Sequence, residues 1–165
     1  MPNPSAGLLL YRLPDRGRPV RPPGLEVLLV HPGGPLWRRK DEGAWSIPKG
    51  EIEAGDEPRS AAEREFTEEL GLPPPPGPRI DLGEITQRGG KRVRAWAVAG
   101  DLDVTEIHSN TFEMQWPPGS GRTLAFPEVD RAGWFSVAEA RVKLVDAQAG
   151  FLDRLTGLLD AAEAP

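Results

Sequence analysis

The stretch GEIEAGDEPRSAAEREFTEELGL, residues 50–72, decides how this chain is read. It crowds acidic residues into a short segment behind a glycine turn. Glu65, Glu68 and Glu69 stand at spacings i, i+3 and i+4, which puts three carboxylates on one helical face. Like charges so placed repel, so a folded protein keeps them crowded only with compensation. A divalent cation is the obvious compensation, because Mg²⁺ and Mn²⁺ prefer carboxylate oxygens and hold phosphates at the same time. The simpler alternative is a solvated acidic helix face. Its flanking residues weigh against that. Gly50 and Gly55 frame a tight loop, and Asp56 is expected as the N-cap, with Glu57 and Pro58 in the first turn. Arg64 lies four residues before Glu68 and can orient that carboxylate. Ala62, Phe66 and Leu70 form the opposite, buried stripe. The helix is expected over residues 57–70, ending at Gly71 as a C′ residue.

The order Gly50, five residues, Asp56, seven residues, Arg64-Glu65-Phe66, one residue, Glu68-Glu69, one residue, Gly71-Leu72 resembles the Nudix box. That box reads G-x5-E-x7-R-E-U-x-E-E-x-G-U, where U is a bulky apolar residue. Asp56 replaces its first glutamate, and Phe66 is aromatic where an aliphatic residue is usual. The resemblance implies an α/β fold, a Nudix α/β/α sandwich with a mixed central β-sheet, as one domain over residues 1–165. It also implies a hydrolase that uses Mg²⁺ or Mn²⁺ to cleave a diphosphate joined to another moiety. By resemblance Glu65, Glu68 and Glu69 are the metal ligands, and a backbone carbonyl near Lys49 or Gly50 completes the shell. Arg64 would orient a glutamate. Asp56 is either helix cap and Arg64 partner or a direct metal contact. The general base is a box glutamate or a later acid. Glu113, within NTFEMQW (110–116), and Glu128, within FPEV (126–129), are the candidates, and each can equally be a surface carboxylate.

The approach to the box, WSIPKG (45–50), resembles Nudix members acting on dinucleoside polyphosphates or related long polyphosphates. Lys49 can meet a distal phosphate as a point charge; its plainer reading is an exposed turn lysine. Arg38, with Arg39 and Lys40, is a basic cluster near the same loop. Arg92 and Arg94 share one strand face and can add positive charge to a cleft. Tyr11, Trp37, Trp45, Trp96 and Trp116 include candidate base-stacking platforms, although most tryptophans are core residues. His31 and His108 lack ligand spacing and are read as structural.

Composition sets the outer bounds. With 165 residues the chain can bury a real core. Twenty basic residues against 25 acidic give a net charge of −5, so no basic excess suggests DNA binding. A bound metal can still reverse the local sign for a polyphosphate. The absence of cysteine excludes thiol chemistry and fits a cytoplasmic setting. The longest apolar runs, such as Leu8-Leu9-Leu10, are too short to span a membrane, and the first residues lack signal-peptide character. No feature sets the oligomeric state, and a homodimer is allowed.

Strands are expected at residues 5–13, 25–31, 45–47, 80–87, 92–98 and 111–116, and helices at 137–144 and 151–162. A Pro-, Gly- and Arg-rich loop covers 14–24, and a mobile one 117–122. This interleaving argues for α/β layers. The substrate expected is a nucleoside polyphosphate, of the dinucleoside polyphosphate or NTP type. Rivals are a nucleotide sugar, a capped RNA, an inositol pyrophosphate, or a Nudix-fold nucleotide-binding module without turnover.

Overall fold

The computed structural model describes residues 3–13 and 24–163; the loop expected at 14–24 lies outside them except for Gly24. Strand β1 (Ser5–Arg12) is the centre of the molecule. One of its edges pairs in parallel with β5 (Arg92–Ala99), from Ser5 opposite Val93 to Tyr11 opposite Ala99. Its other edge is shared. Residues Ser5 to Gly7 pair antiparallel with β3 (Lys49–Glu51), and Tyr11 and Arg12 pair antiparallel with β2 (Glu26–Pro32). Beyond these lie β4 (Ile80–Thr86), antiparallel to β5, and β8 (Val129–Ser136), antiparallel to β2. The sheet is therefore mixed, in the order β4-β5-β1-β2-β8. Strands β6 (Thr111–Gln115) and β7 (Thr123–Pro127) form a separate two-stranded sheet.

Side-chain alternation along β1 creates the layers. Leu8 and Leu10 face one core, with Phe66 and Leu70 of helix α1 (Pro58–Leu70). Leu9 and Tyr11 face the other, with Ala140 of α2 (Val137–Lys143) and Phe151, Leu152 and Leu155 of α3 (Ala149–Glu163). Each fully buried leucine or phenylalanine contributes about 1.5–3 kcal/mol, so both faces of the sheet are firmly covered. The result is the expected α/β/α sandwich. Among the described residues no helix is long and apolar enough to cross a membrane.

Three local expectations need correction. Asp56 is not the N-cap of α1. Glu57 holds that position without a side-chain cap bond, and Pro58 opens the helix, where its missing N–H costs nothing. The Asp56 carboxylate is instead taken by Arg64, two turns along the helix, and by the Glu53 N–H. The short strand expected at 45–47 is displaced to Lys49–Glu51. Trp45 and Ser46 make only single bridges, to Leu144 and Val30. Strands β7 and β8 were not expected. Val129–Ser136 mixes Asp130, Arg131 and Gly133 with apolar residues and so lacks a period of two, yet it pairs along nearly all of β2.

The helix stops as read. Gly71 adopts φ 73°, and its N–H reaches the Thr67 carbonyl. The segment after β5 then covers two further carbonyls: the His108 N–H donates to Leu70 O and the Asn110 N–H to Glu68 O. The Glu128 N–H donates in turn to Asn110 O at 2.8 Å. The C-terminal end of α1 is thereby tied to Glu128. His31 is fully buried and structural. Its Nδ1 lies 2.8 Å from Asp130 Oδ1 and its Nε2 2.6 Å from the Lys40 carbonyl, which fastens the 33–43 loop to β8.

Candidate active site

The acidic face of α1 looks onto β3 and the start of β8. Gly50 lies directly against Glu65. A Cβ at position 50 would overlap the Glu65 carboxylate, so only glycine leaves room for it there. Glu69 Oε1 accepts the Lys49 N–H at 3.1 Å. Burial pushes the Glu69 carboxyl up to about 8, against the opposing pull of Lys49. Glu65 is raised by burial and then by neighbouring Glu68, and Glu128 by burial and then by Glu68. Three carboxyl groups therefore resist ionisation together, chiefly because they are buried and then because they crowd other carboxylates.

Arg64 supplies part of the compensation. Its Nη1 donates to Asp56 Oδ2 at 2.8 Å. Its Nη2 lies 3.6 Å from Glu65 Oε1 and its Nε 3.8 Å from Glu68 Oε1. The Asp56 pairing holds the carboxyl of Asp56 below its ordinary range and the Arg64 guanidinium above its own. Arg64 thus stands between the box acids, fixed from behind by Asp56.

The donors fit a hard divalent cation. They are all oxygens, they crowd one cleft, and the Gly50 cradle leaves Glu65 its space. Among the described residues the side chains do not close on a single point as around a bound ion.

Two adjoining cavities share Glu69 and Glu128. One, of about 410 Å³, is apolar, with Leu36, Trp37, Phe112 and Met114 in its walls. Phe112 packs on Gly34, where an added Cβ would stand 2.9 Å from its ring. The other, of about 270 Å³, also touches Lys49, Gln87 and Ser46. Lys49 is partly buried, and its ammonium is lowered by that burial and then by Lys91.

The other candidate residues are placed as follows. Glu128 joins the box acids at the cleft. Glu113 is exposed, on β6 between Phe112 and Met114; those two line the cavity, so alternation turns Glu113 to the opposite face. Arg38 is exposed on the turn after Trp37. Arg92 is exposed on β5, and Arg94 is held by Asp81 at 2.9 Å over the Trp96 ring. Tyr11, Trp45 and Trp96 belong to the core, and of the candidate platforms Trp37 alone lines the apolar cavity. The sequence reading missed Leu36, Phe112, Met114 and Gln87. An aromatic alternating with a methionine in FEM (112–114) is the only signal that pointed to any of them.

The fold and this loop-helix-loop define a class. A family model described as "NUDIX domain" matches residues 7–155, and the chain belongs to the Nudix family. It is similar to an octanoyltransferase of Myxococcus xanthus, 32% identical over 126 residues, which is 75% of this chain and 30% of that protein. It is also similar to an RNA pyrophosphohydrolase of Hahella chejuensis, 37% identical over 54 residues, 32% of this chain and 34% of that protein. The chain thus spans about a third of the length of these curated relatives. Among solved structures, a C. elegans Ap4A hydrolase binary complex shares the fold with a TM-score of 0.64 at 19% identity, covering 95% of this chain and 98% of the other. The NUDIX domain of Shewanella oneidensis NrtR complexed with ADP ribose shares it with a TM-score of 0.62 at 14% identity, covering 95% and 88%.

Proposed function

We propose that this protein is a metal-dependent pyrophosphohydrolase that cleaves a nucleoside polyphosphate, of the dinucleoside polyphosphate or NTP type, at a diphosphate linkage. The observation that carries this reading is the pair of cavities meeting at Glu69 and Glu128. The larger one suits a flat base against Trp37 and Phe112, and the smaller one offers phosphates the Lys49 ammonium with Ser46 and Gln87 among apolar walls. Of the box acids, Glu69 lines both cavities. The Ap4A hydrolase likeness agrees with this reading.

Glu65, Glu68 and Glu69, with the carbonyl of Gly50, would hold Mg²⁺ or Mn²⁺. When bound, the ion neutralises phosphate oxygens and makes water a better nucleophile. Arg64, anchored by Asp56, keeps Glu65 and Glu68 oriented. Glu128, partly buried beside the box acids, would take a proton from the attacking water; its position in the cavity wall supports this, whereas Glu113 faces away. Lys49 meets the charge of the phosphate chain. Arg38 and Arg92 line neither cavity and would add only long-range positive charge.

A second reading keeps the site and changes the group released to the sugar phosphate of ADP-ribose or of a nucleotide sugar. The ADP ribose bound by the NrtR domain favours it. One experiment separates the readings: a panel of dinucleoside polyphosphates, NTPs, ADP-ribose and nucleotide sugars, with Mg²⁺ or Mn²⁺ and with chelator, with products identified by chromatography. Metal-dependent turnover of the tetraphosphates and NTPs above the others is the expected result. Turnover of none of them, with intact binding, would leave a nucleotide-binding module.

A further inference from the structure

Gln148 is completely buried, on the short turn Asp146–Gln148 beneath the cleft. Its Oε1 accepts the Ile47 backbone N–H at 3.0 Å. A backbone N–H can only donate, so the orientation of this amide is settled: oxygen toward Ile47, nitrogen away. The two hydrogens on Gln148 Nε2 then go to Ser46 Oγ at 3.1 Å and to Gln87 Oε1 at 2.9 Å. Ser46 can accept, because its own proton goes to the Ile47 carbonyl at 2.7 Å. Every buried group of this chain of bonds is satisfied.

The consequence falls on Gln87. Its oxygen is held by Gln148, so the end left over is its NH₂. Gln87 lines the smaller cavity, together with Lys49, Glu69 and Glu128. Among the described residues no acceptor engages that nitrogen. A buried network with a fixed polarity thus delivers an unspent NH₂ group to the wall of the cavity that also carries the Lys49 cation.

We propose that Gln87 donates its amide N–H to a phosphate oxygen of the substrate, in the orientation imposed by Gln148. The ligand chemistry is an anionic phosphoryl group. An N–H donor beside an ammonium recognises an anion, and the base has the apolar cavity next door. Gln87 follows β4 and comes from outside the box, so it contributes to the strength of polyphosphate binding without contributing to the metal site. This inference rests on the reading of the cleft as a polyphosphate site.

Two substitutions test it. Gln87→Glu keeps an acceptor for Gln148 and replaces the free donor by an anionic oxygen. Gln87→Ala removes both. If the residue were only structural, Ala would do more damage, because Glu preserves the internal bond. If it touches phosphate, Glu does more damage, through repulsion. The probe is a methylene-bridged diadenosine tetraphosphate with Mg²⁺, titrated by calorimetry. Unfolding midpoints are measured in parallel to verify that each variant is folded. Gln87→Glu is expected to weaken binding about tenfold or more, and Gln87→Ala by less. Equal affinities, or a greater loss in Gln87→Ala, overturn the contact. Failure of the unsubstituted protein to bind the analogue overturns the polyphosphate reading itself, a separate result.

Discussion

The Glu65 carboxylate occupies the space that a side chain at position 50 would need. The box glycine is therefore a steric partner of a box glutamate fifteen residues later in the chain, across the gap between β3 and α1. Gly50→Ala is expected to push the carboxylate aside. The displaced atoms are the far end of a flexible side chain, so the fold should survive with a small change in unfolding midpoint. Metal-dependent kcat should fall on the order of a hundredfold, the cost of an ångström of misplacement. A midpoint that collapses along with activity would show that the close approach supports folding instead.

Glu68→Gln and Glu69→Gln each remove an anionic donor. Turnover should drop by orders of magnitude, and the Mg²⁺ or Mn²⁺ concentration for half-maximal rate should rise. Near-normal kinetics in both would take these residues out of the metal site.

Glu113 and Glu128 looked equivalent in sequence and differ in place. Glu128→Gln should lower kcat by roughly a hundredfold or more, while Glu113→Gln stays close to the unsubstituted enzyme. The reverse ranking, read from kcat against pH, would move the base to β6.

The raised carboxyl of Glu69, near 8, makes a prediction about pH. A carboxylate is easier to form in the unfolded chain, so the metal-free fold should lose stability as pH rises from about 4.5 through about 8. Glu65 and Glu128 are raised as well and act in the same direction. Divalent metal should reverse the loss, with the larger gain at higher pH, because it binds the ionised form. Unfolding midpoints from pH 5 to 9, with Mg²⁺ and with chelator, measure both effects. A flat chelator curve, or one that Glu69→Gln leaves unchanged in slope, would contradict the assignment.

Asp56 is expected to act through Arg64. Asp56→Ala should lower kcat several-fold with little change in unfolding midpoint, since no cap bond is lost. Asp56→Glu, which restores the acid usual at this place in the box, should retain activity. A large stability loss with unaltered kcat would return Asp56 to a structural role.

Much of this was legible in the chain itself. The spacing of Glu65, Glu68 and Glu69 determines a shared helical face in any α-helix, and Ala62, Phe66 and Leu70 determine the face that must be buried. Gly71 marks where the helix ends, because a left-handed φ there favours a residue without Cβ. These are short-range consequences of backbone geometry. The alternation through β1, with both faces apolar, likewise predicts a strand covered on both sides.

Only the tertiary structure decided the rest. Whether Glu113 or Glu128 reaches the box depends on how residues 108–110 cross the end of α1, and no local pattern encodes that crossing. The loss of Asp56 as a cap follows from competition with a guanidinium two turns away. The apolar cavity combines residues from the 33–43 loop and from β6, and the orientation of Gln87 depends on a backbone N–H forty residues before it. Periodicity reports which way a side chain points within its own element. Which groups meet across elements is set by long-range packing and by the need to satisfy every buried polar group, and those constraints exist only once the chain has closed on itself.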